Sequence, residues 1–478
     1  IRLTNLWFLN RISALIGSDL SCLCFETILT QPYSYYSQIN SSELIGTIST
    51  KIIRTVLSIL STLQFLTGLI ISSLILSTLM IVDYKSTTVT IIVMFFVYFI
   101  LLKKSRRLLL KNSKVIAKKR NEQVKYLQEG LGGIKEILMG SYQNFYLKPY
   151  EKLDLEMRIN EANNLFIASA PRFAIESIGI SLISFVALFF KLRSNSVESF
   201  IPLLATFGLG IQRLLPSLQL SYISLSSVRG ASSEVFDVLK ILKNKNNKSF
   251  ETRNIKPYKF QNLIKIKNLS FKYLGAKNNV LSEINFDIKK GERIAIVGKS
   301  GQGKSTLLEI IMGLQKPTKG ALIIDGIDIN DPKNFSKKLK WFKSISYIPQ
   351  DIYLTDGSFI ENIAFGIPTK DINNDLVKSS AKISQIEQFI MTTEKKYETN
   401  IGERGVKLSG GQKQRIGIAR ALYKNNSILA FDEATSALDY KTEGDILNSI
   451  KSLSKEITII FVSHRLETIN FCDRIIKL

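Results

Sequence analysis

The feature that most constrains this chain of 478 residues is a glycine-rich turn between an apolar strand and an apolar helix. Residues 293–297 have the pattern of a short buried strand, and the turn from Gly298 to Thr306 follows the pattern G-x-x-x-x-G-K-[ST]. Leucines and isoleucines at 307–311 continue as a helix. A strand, a tight turn and a helix in this order indicate an α/β domain built on a parallel sheet.

The residue types of this turn fit phosphate binding. Glycines let backbone N–H groups curve around anionic oxygens, and the helix N-terminus adds a positive dipole end. Lys304 is placed to reach the β- and γ-phosphates of a nucleotide, and the Ser305 hydroxyl to bind Mg²⁺. A chance match is the alternative, which the strand–turn–helix context disfavours. The candidate residues of the turn are Gly298, Ser300, Gly301, Gly303, Lys304, Ser305 and Thr306.

A second apolar strand, at residues 427–431, ends in two acids. We predict that Asp432 holds Mg²⁺ through water and that Glu433 orients and deprotonates an attacking water. The chain has one histidine, His464, at the end of another apolar strand. Because no second histidine can share acid–base work, a carboxylate is the better candidate for the base. The position of His464 at a strand end still predicts a functional role.

With these residues, the chain resembles the ABC transporter superfamily. The decisive motif is Leu-Ser-Gly-Gly-Gln at 408–412, the signature that separates ABC ATPases from other P-loop proteins. The resemblance implies that Tyr273 stacks on adenine and that Gln350 joins Mg²⁺ and senses the membrane domain. It also implies that Asp439 belongs to the D-loop and that His464 contacts the γ-phosphate. Residues 401–405 look like an extra loop typical of exporters.

The resemblance also implies a dimer, because in this family each signature motif completes the ATP site of the opposite domain. One chain carries one set of motifs, so a second chain is required, and a homodimer is the simplest arrangement. The cofactors implied are ATP and Mg²⁺. The signature residues assigned to the opposite site are Ser409, Gly410, Gly411 and Gln412.

The first half of the sequence has long apolar runs. Four of them are predicted to span a membrane, at residues 56–81, 87–102, 171–190 and 199–221. A polar turn after the first run and nine Lys/Arg without an acid at residues 103–120 place the turn outside and the basic cluster in the cytoplasm. Residues 1–36 carry spaced charges and are predicted to form a cytoplasmic helix, not a span.

The net charge of +24 fits nucleic acid, an anionic membrane surface or solvated lysines. The basic cluster beside an apolar run favours the membrane, and no nucleic-acid motif accompanies the charge, so we expect no nucleic-acid partner. We expect a multi-pass protein of the bacterial plasma membrane, that is, the inner membrane, with its nucleotide-binding domain in the cytoplasm.

The predicted architecture has a membrane domain at 1–240, a linker at 241–260 and a nucleotide-binding domain at 261–478. The resemblance implies an all-α exporter-type bundle with four of six helices present, in a sequence that reads as cut at both ends. For the second domain it implies an α/β P-loop fold with an antiparallel β subdomain and a helical subdomain. Segments at 31–45 and 130–140 resemble the two coupling regions of exporters.

The cargo is the least determined feature. Residues 40–45 and 349–354 look most like flippases for lipid-linked oligosaccharides, and Arg213 and Arg172 are candidates to face a pyrophosphate-linked lipid. A structural pair of Arg172 with Glu176 at the cytoplasmic boundary is the alternative. A peptide or multidrug exporter shares every motif. A soluble ABC ATPase acting on nucleic acid is disfavoured by the four apolar runs.

Overall fold

The computed structural model describes residues 2–193, 197–243, 255–452 and 456–478, and the chain divides into two compact units. The first unit, Ile1–Ser249, is helical, and the second unit, Phe250–Leu478, combines helices with two sheets. The predicted fold class is confirmed. The predicted linker at 241–260 overlaps the end of the last helix of the first unit, and its residues 244–254 lie outside the described part.

The described helices of the first unit follow one another with short connections. A single π-helical turn, Thr47–Lys51, leads directly into the first long apolar helix. In chain order the helices are α1 Arg2–Leu29, α2 Tyr33–Tyr36, α3 Ser41–Gly46, α4 Ile52–Val82, α5 Tyr84–Gly132, α6 Ile134–Gly140, α7 Gln143–Ser169, α8 Pro171–Arg193, α9 Val197–Gly230 and α10 Ser232–Lys243.

Four helical stretches of the described residues are long and apolar enough to cross a membrane: Leu3–Leu29, Ser41–Val82, Tyr84–Gly132 and Gln143–Phe185. The second and third stretches contain the first two predicted spans, and the fourth overlaps the third predicted span, 171–190, as far as Phe185. The fourth predicted span, 199–221, falls in α9, where several side chains lie outside the described part.

The first stretch differs from expectation, since residues 1–36 were predicted to form a cytoplasmic helix. Within α1, the charges at Arg11, Asp19 and Glu26 are about two turns apart, so long apolar segments remain between them. Exposed apolar side chains such as Trp7 and Phe25 agree with a helix suited to lipid.

The connections around the spans follow local chemistry. Asp83 ends α4 and caps α5, because its carboxylate accepts hydrogen bonds from the backbone N–H and the hydroxyl of Ser86. Pro171 occupies the first position of α8, where its missing N–H leaves no hydrogen bond unmade. The short helices α2 and α6 lie in the segments that resemble the coupling regions.

A group of four charged residues, two of them buried, joins four helices of the first unit, and we call it the Arg120 network. The guanidinium of Arg120 donates to Glu234 at 2.5 Å and to Glu161 at 2.6 Å, and Arg54 donates to Glu161 at 2.5 Å. Arg120 is 8% exposed and Glu234 2% exposed. Burial raises the pKa of Glu234, and the charge of Arg120 opposes that shift. The network therefore depends on charges that neutralise one another.

The second unit contains an antiparallel sheet of order β2-β1-β4-β5 and a parallel sheet of order β6-β7-β8-β3-β9. Because parallel strands end on the same edge, residues that follow β3, β7 and β8 meet there. The strands are β1 Leu263–Phe271, β2 Leu281–Lys289, β3 Arg293–Val297, β4 Lys319–Ile324, β5 Ile327–Asp328, β6 Ile345–Ile348, β7 Ile428–Asp432, β8 Thr458–Val462 and β9 Arg474–Lys477.

The helices of this unit pack in two ways. One core joins both sheets to the helix after β3 and includes the buried Trp341. A separate apolar cluster, which contains Phe359 and Ile416, holds α13–α16 together as a helical subdomain. The helices are α11 Lys304–Ile311, α12 Phe335–Lys343, α13 Phe359–Ile363, α14 Asn374–Ile383, α15 Glu387–Thr392, α16 Gly410–Tyr423, α17 Tyr440–Lys451 and α18 Leu466–Phe471.

Candidate nucleotide-binding site

The glycine-rich turn lies between β3 and α11, as the sequence predicts. Gly301 and Gly303 have φ of 81° and 86°, a conformation that side-chain-bearing residues rarely adopt. A Cβ on Gly303 would also lie 2.8 Å from Val280, so glycine is required there on two grounds. The turn therefore has the backbone freedom that a phosphate-binding loop needs.

Lys304 lies at the start of α11 and is 6% exposed. Its ammonium donates to the carbonyls of Gly298 and Lys299 at 3.0 and 3.1 Å, so the cation is held directly over the loop. Gln302, which the sequence analysis did not single out, accepts from the N–H of Lys299 at 2.6 Å. A Cβ on Gly298 would come within 2.6 Å of that amide oxygen.

Ser305 and Asp432 form a pair of oxygen ligands suited to Mg²⁺. The Ser305 hydroxyl donates to Asp432 Oδ1 at 2.9 Å, and Tyr347 donates to Oδ2 at 3.4 Å. Burial raises the pKa of Asp432, while these hydrogen bonds oppose the shift. Magnesium in such sites is bound by few protein oxygens together with phosphates, so the residues fit the ion. The described residues contain no cage of three or more His, Cys, Asp or Glu, which this kind of site does not need.

Glu433 is the centre of the site. Its Oε1 lies 2.7 Å from His464 Nε2, and its Oε2 accepts from Gln350 at 3.2 Å. Three residues separated by up to 114 positions therefore meet on one carboxylate. The φ of Glu433 is 50°, an unusual value for a residue with a side chain, and its N–H donates to Val462 O at 2.9 Å. Backbone strain of this kind concentrates at functional sites.

Tyr273, the candidate for stacking on adenine, lies beside the loop. Its hydroxyl is 2.9 Å from the Thr306 hydroxyl, and its ring meets Phe271 edge-on at 4.9 Å between centroids. The ring is 38% exposed. The structure thus brings two predicted nucleotide contacts, Tyr273 and Thr306, together, with Tyr273 partly exposed to solvent.

The signature residues form the N-terminus of α16. Ser409 caps the helix, and Gln412 bonds back to the Ser409 N–H at 2.8 Å, which makes a capping box. A Cβ on Gly411 would lie 3.1 Å from Ala437 O, so the motif packs against the segment before α17. Asp439 caps α17 by accepting from the Thr442 N–H at 3.0 Å, and that bond lowers the pKa of Asp439.

Two further contacts fix the segment that includes Asp439, and the sequence analysis missed both. Gln414 donates to the Ser436 hydroxyl at 3.1 Å and accepts from the Ala437 N–H at 2.9 Å. Arg465 donates to the carbonyl of Leu438 at 2.9 Å and to the buried Glu443 at 2.5 Å. In the sequence, the only indication of a role for Arg465 is its position next to His464, the only histidine.

Residues 281–436 match the family model for ABC transporters. This unit belongs to the ABC transporter family. The match covers the phosphate-binding turn, the signature motif and the acidic pair, which are also the residues whose geometry is described above. We refer to the second unit as the ABC domain.

Curated relatives match a little under half of the chain. A Bacillus subtilis protein provisionally named a multidrug export ATP-binding/permease protein, YgaD, is 42% identical over 213 residues, which are 45% of this chain and 36% of YgaD. ABC transporter B family member 29, chloroplastic, of Arabidopsis thaliana is 40% identical over 212 residues, which are 44% of this chain and 33% of that protein. The chain therefore spans about a third of the length of the curated relatives it matches.

Among solved structures, a bacterial Atm1-family ABC exporter with ATP bound aligns with a TM-score of 0.87. The alignment covers 100% of this chain and 83% of that chain at 23% sequence identity. The chain has the fold of an ABC exporter over its whole length, the helical unit included.

Proposed function

We propose that the chain is part of an ABC exporter that couples ATP hydrolysis to the movement of an amphiphilic substrate across a membrane. Two copies of the chain form the functional exporter, since each copy has one set of the ATP-site motifs. The ABC domain lies in the cytoplasm at the bacterial plasma membrane and uses ATP with Mg²⁺. Magnesium, held by Ser305, Asp432 and Gln350, supplies charge that offsets the phosphates.

The observation that carries the ATPase proposal is the carboxylate of Glu433 held between His464 and Gln350. A general base must lie within about 2.6–3.2 Å of the atom that it deprotonates, so its carboxylate has to be held in a fixed orientation. Glu433 is the residue next to Asp432, so its carboxylate faces the same edge of the sheet as the phosphate-binding turn. In this role it orients a water and accepts its proton, while His464 and Gln350 fix the orientation of the carboxylate.

The observation that carries the transport proposal is the presence of the apolar helices of the first unit on the same chain as the ABC domain. A soluble ATPase has no use for exposed side chains such as those of Ile70, Leu74 and Phe96 on such helices. ATP binding and hydrolysis then shift the population between two states of the membrane domain.

For the cargo, we propose a lipid-linked oligosaccharide on the resemblance of residues 40–45 and 349–354 to flippases. Multidrug export is the second candidate, and the provisional name of the Bacillus relative favours it. Arg213 is exposed on α9, and Arg172 donates to Glu176 at 2.8 Å, so only Arg213 has its charge available for an anionic head.

The test is an ATPase assay on the full-length protein in lipid nanodiscs with a panel of lipid-linked sugars, peptides and drugs. Stimulation by lipid-linked sugars alone supports the flippase proposal, and stimulation by drugs alone supports multidrug export. Absence of magnesium-dependent ATP hydrolysis in every condition would contradict the proposal as a whole.

A further inference from the structure

A cavity of 390 Å³ lies within the first unit, with a wall that includes Arg54, Gln64, Glu161 and Ser226. Arg54 and Gln64 are ten positions apart on α4, so the cavity extends roughly 15 Å along that helix. Arg54 precedes the predicted span 56–81, whereas Gln64 lies inside it. The cavity therefore reaches from the cytoplasmic boundary into the inner leaflet, where the head of an amphiphile enters first.

The charges around this cavity cancel. Glu161 accepts from Arg54 at 2.5 Å and from Arg120 at 2.6 Å, and Glu234 accepts from Arg120 at 2.5 Å. Two guanidinium groups and two carboxylates leave no net charge for a ligand. A head with its own charge would have to compete with these pairs, which is most costly at the buried pair of Arg120 and Glu234.

The uncharged polar groups of the wall can form further hydrogen bonds. Ser226 is 2% exposed, and its hydroxyl has no hydrogen-bond partner in the part of the chain that the structure describes. A buried hydroxyl without a partner is unfavourable, so a ligand that pairs with it gains that free energy. Gln64 and Ser61 add an amide and a hydroxyl, while Leu57 and Leu60 provide apolar surface on the same helix.

We infer that this cavity binds the uncharged, hydroxyl-rich head of an amphiphile, a sugar being the chemical class that fits. The head pairs with Ser226, Ser61 and Gln64, and the apolar chain lies along Leu57 and Leu60. The inference rests on the proposed exporter function and names the class of substrate for it.

The test uses four amphiphiles with the same dodecyl chain, so that only the head differs. Dodecyl maltoside has a sugar head, and dodecylphosphocholine, dodecyltrimethylammonium and dodecyl phosphate have zwitterionic, cationic and anionic heads. Each is added below its micelle-forming concentration to the full-length protein in nanodiscs, and ATP hydrolysis is measured. Dodecyl maltoside is expected to stimulate hydrolysis at the lowest concentration of the four.

Two substitutions remove polar groups from the wall. Ser226→Ala and Gln64→Leu are each expected to raise the half-maximal concentration of dodecyl maltoside about fivefold, the effect of one hydrogen bond. The matched control is Ser224→Ala. Ser224 is on the same helix, is also 2% exposed and also has an unpaired hydroxyl, but it does not line the cavity. This control is expected to respond as the unchanged protein does.

Binding of radiolabelled dodecyl maltoside without ATP separates this inference from the exporter proposal. Lost affinity in Ser226→Ala but not in Ser224→Ala supports the site even if hydrolysis fails. Equal affinity in both variants would overturn the inference, as would stimulation of hydrolysis by a charged head alone. Normal hydrolysis with either of these outcomes would leave the exporter proposal intact.

Discussion

Each unit of this protein contains a carboxylate that bridges two other polar side chains, and the two differ in their surroundings. Glu433 of the ABC domain contacts His464, whose side chain is 50% exposed, and its own backbone has a φ of 50°. Glu161 of the first unit contacts Arg54 and Arg120 on ordinary helical backbone, and Arg120 also pairs with the buried Glu234.

This difference distinguishes a carboxylate suited to catalysis from charged residues that stabilise the packing of helices. A catalytic carboxylate needs partners that can change their contacts when substrate binds, so an exposed histidine and an amide suit it. Buried guanidinium groups hold helices in one arrangement, since separating either charge leaves its partner uncompensated in a medium of low dielectric. We therefore expect changes at Glu433 to affect rate without stability, and changes at Arg120 to affect stability first.

The largest expected effect is on hydrolysis in Glu433→Gln. The amide keeps the shape and the hydrogen bonds of the side chain but cannot accept a proton, so the hydrolysis rate should fall about 10²–10⁴-fold. ATP affinity and the midpoint of thermal unfolding should stay unchanged. Rate, ATP binding and unfolding are measured on one preparation.

The matched control for this variant is Glu394→Gln, which removes the same charge from an exposed position of the ABC domain. It should hydrolyse ATP at the normal rate. Normal turnover in Glu433→Gln itself would remove Glu433 as the base.

The second effect is on stability in Arg120→Met. Removing one partner of a buried ion pair costs about 3–5 kcal/mol, because Glu234 is left without its cation. For a unit of this size that corresponds to a fall of roughly 6–20 °C in its unfolding midpoint. Thermal unfolding in nanodiscs checks it.

The double variant Arg120→Met with Glu234→Leu is the control, since removing both charges restores a compatible core. It should recover most of the loss. A double variant as unstable as Arg120→Met would show that packing around Arg120, not charge, sets the stability of this region.

The sequence predicts the surroundings of Glu433 better than it predicts the Arg120 network, for a physical reason. Glu433 and the phosphate-binding turn lie at the ends of short apolar strands, and parallel strands bring such ends together, so local patterns suffice. Arg120 meets Glu234 across 114 positions through helix packing, which no local pattern encodes. Gln414 and Tyr347 in the ABC domain were missed for the same reason, because each acts on a residue distant in sequence.

The N-terminal segment, expected to form a cytoplasmic helix, is long and apolar enough over Leu3–Leu29 to cross a membrane. The charges at Arg11, Asp19 and Glu26 lower the average hydropathy, and the prediction took each of them to exclude a membrane span. Long side chains on a membrane helix reach a polar neighbour or the interface, so isolated charges do not exclude a span. The length of α1 and the apolar residues between its charges make it a candidate span.

A third expected effect is on ATP affinity in Lys304→Ala. Charge-assisted hydrogen bonds contribute about 1.5–3 kcal/mol, so the dissociation constant for ATP should rise roughly 10–150-fold. Lys299→Ala is the matched control, because Lys299 is in the same loop but its side chain is exposed. Unchanged affinity in Lys304→Ala, measured by equilibrium binding, would count against the phosphate-binding assignment.

The smallest effect is expected from Arg172→Ala, which tests whether burial, rather than pairing, distinguishes the Arg120 network. Arg172 donates to Glu176 at 2.8 Å, as close as many buried pairs, but the side chains are 61% and 39% exposed. Exposed pairs contribute little, because water and lipid head groups solvate the partner that remains. The unfolding midpoint should therefore move by no more than about 1 °C. A fall comparable with that of Arg120→Met would mean that Arg172 is covered in the assembled protein, and stability would then follow contacts that a single chain does not contain.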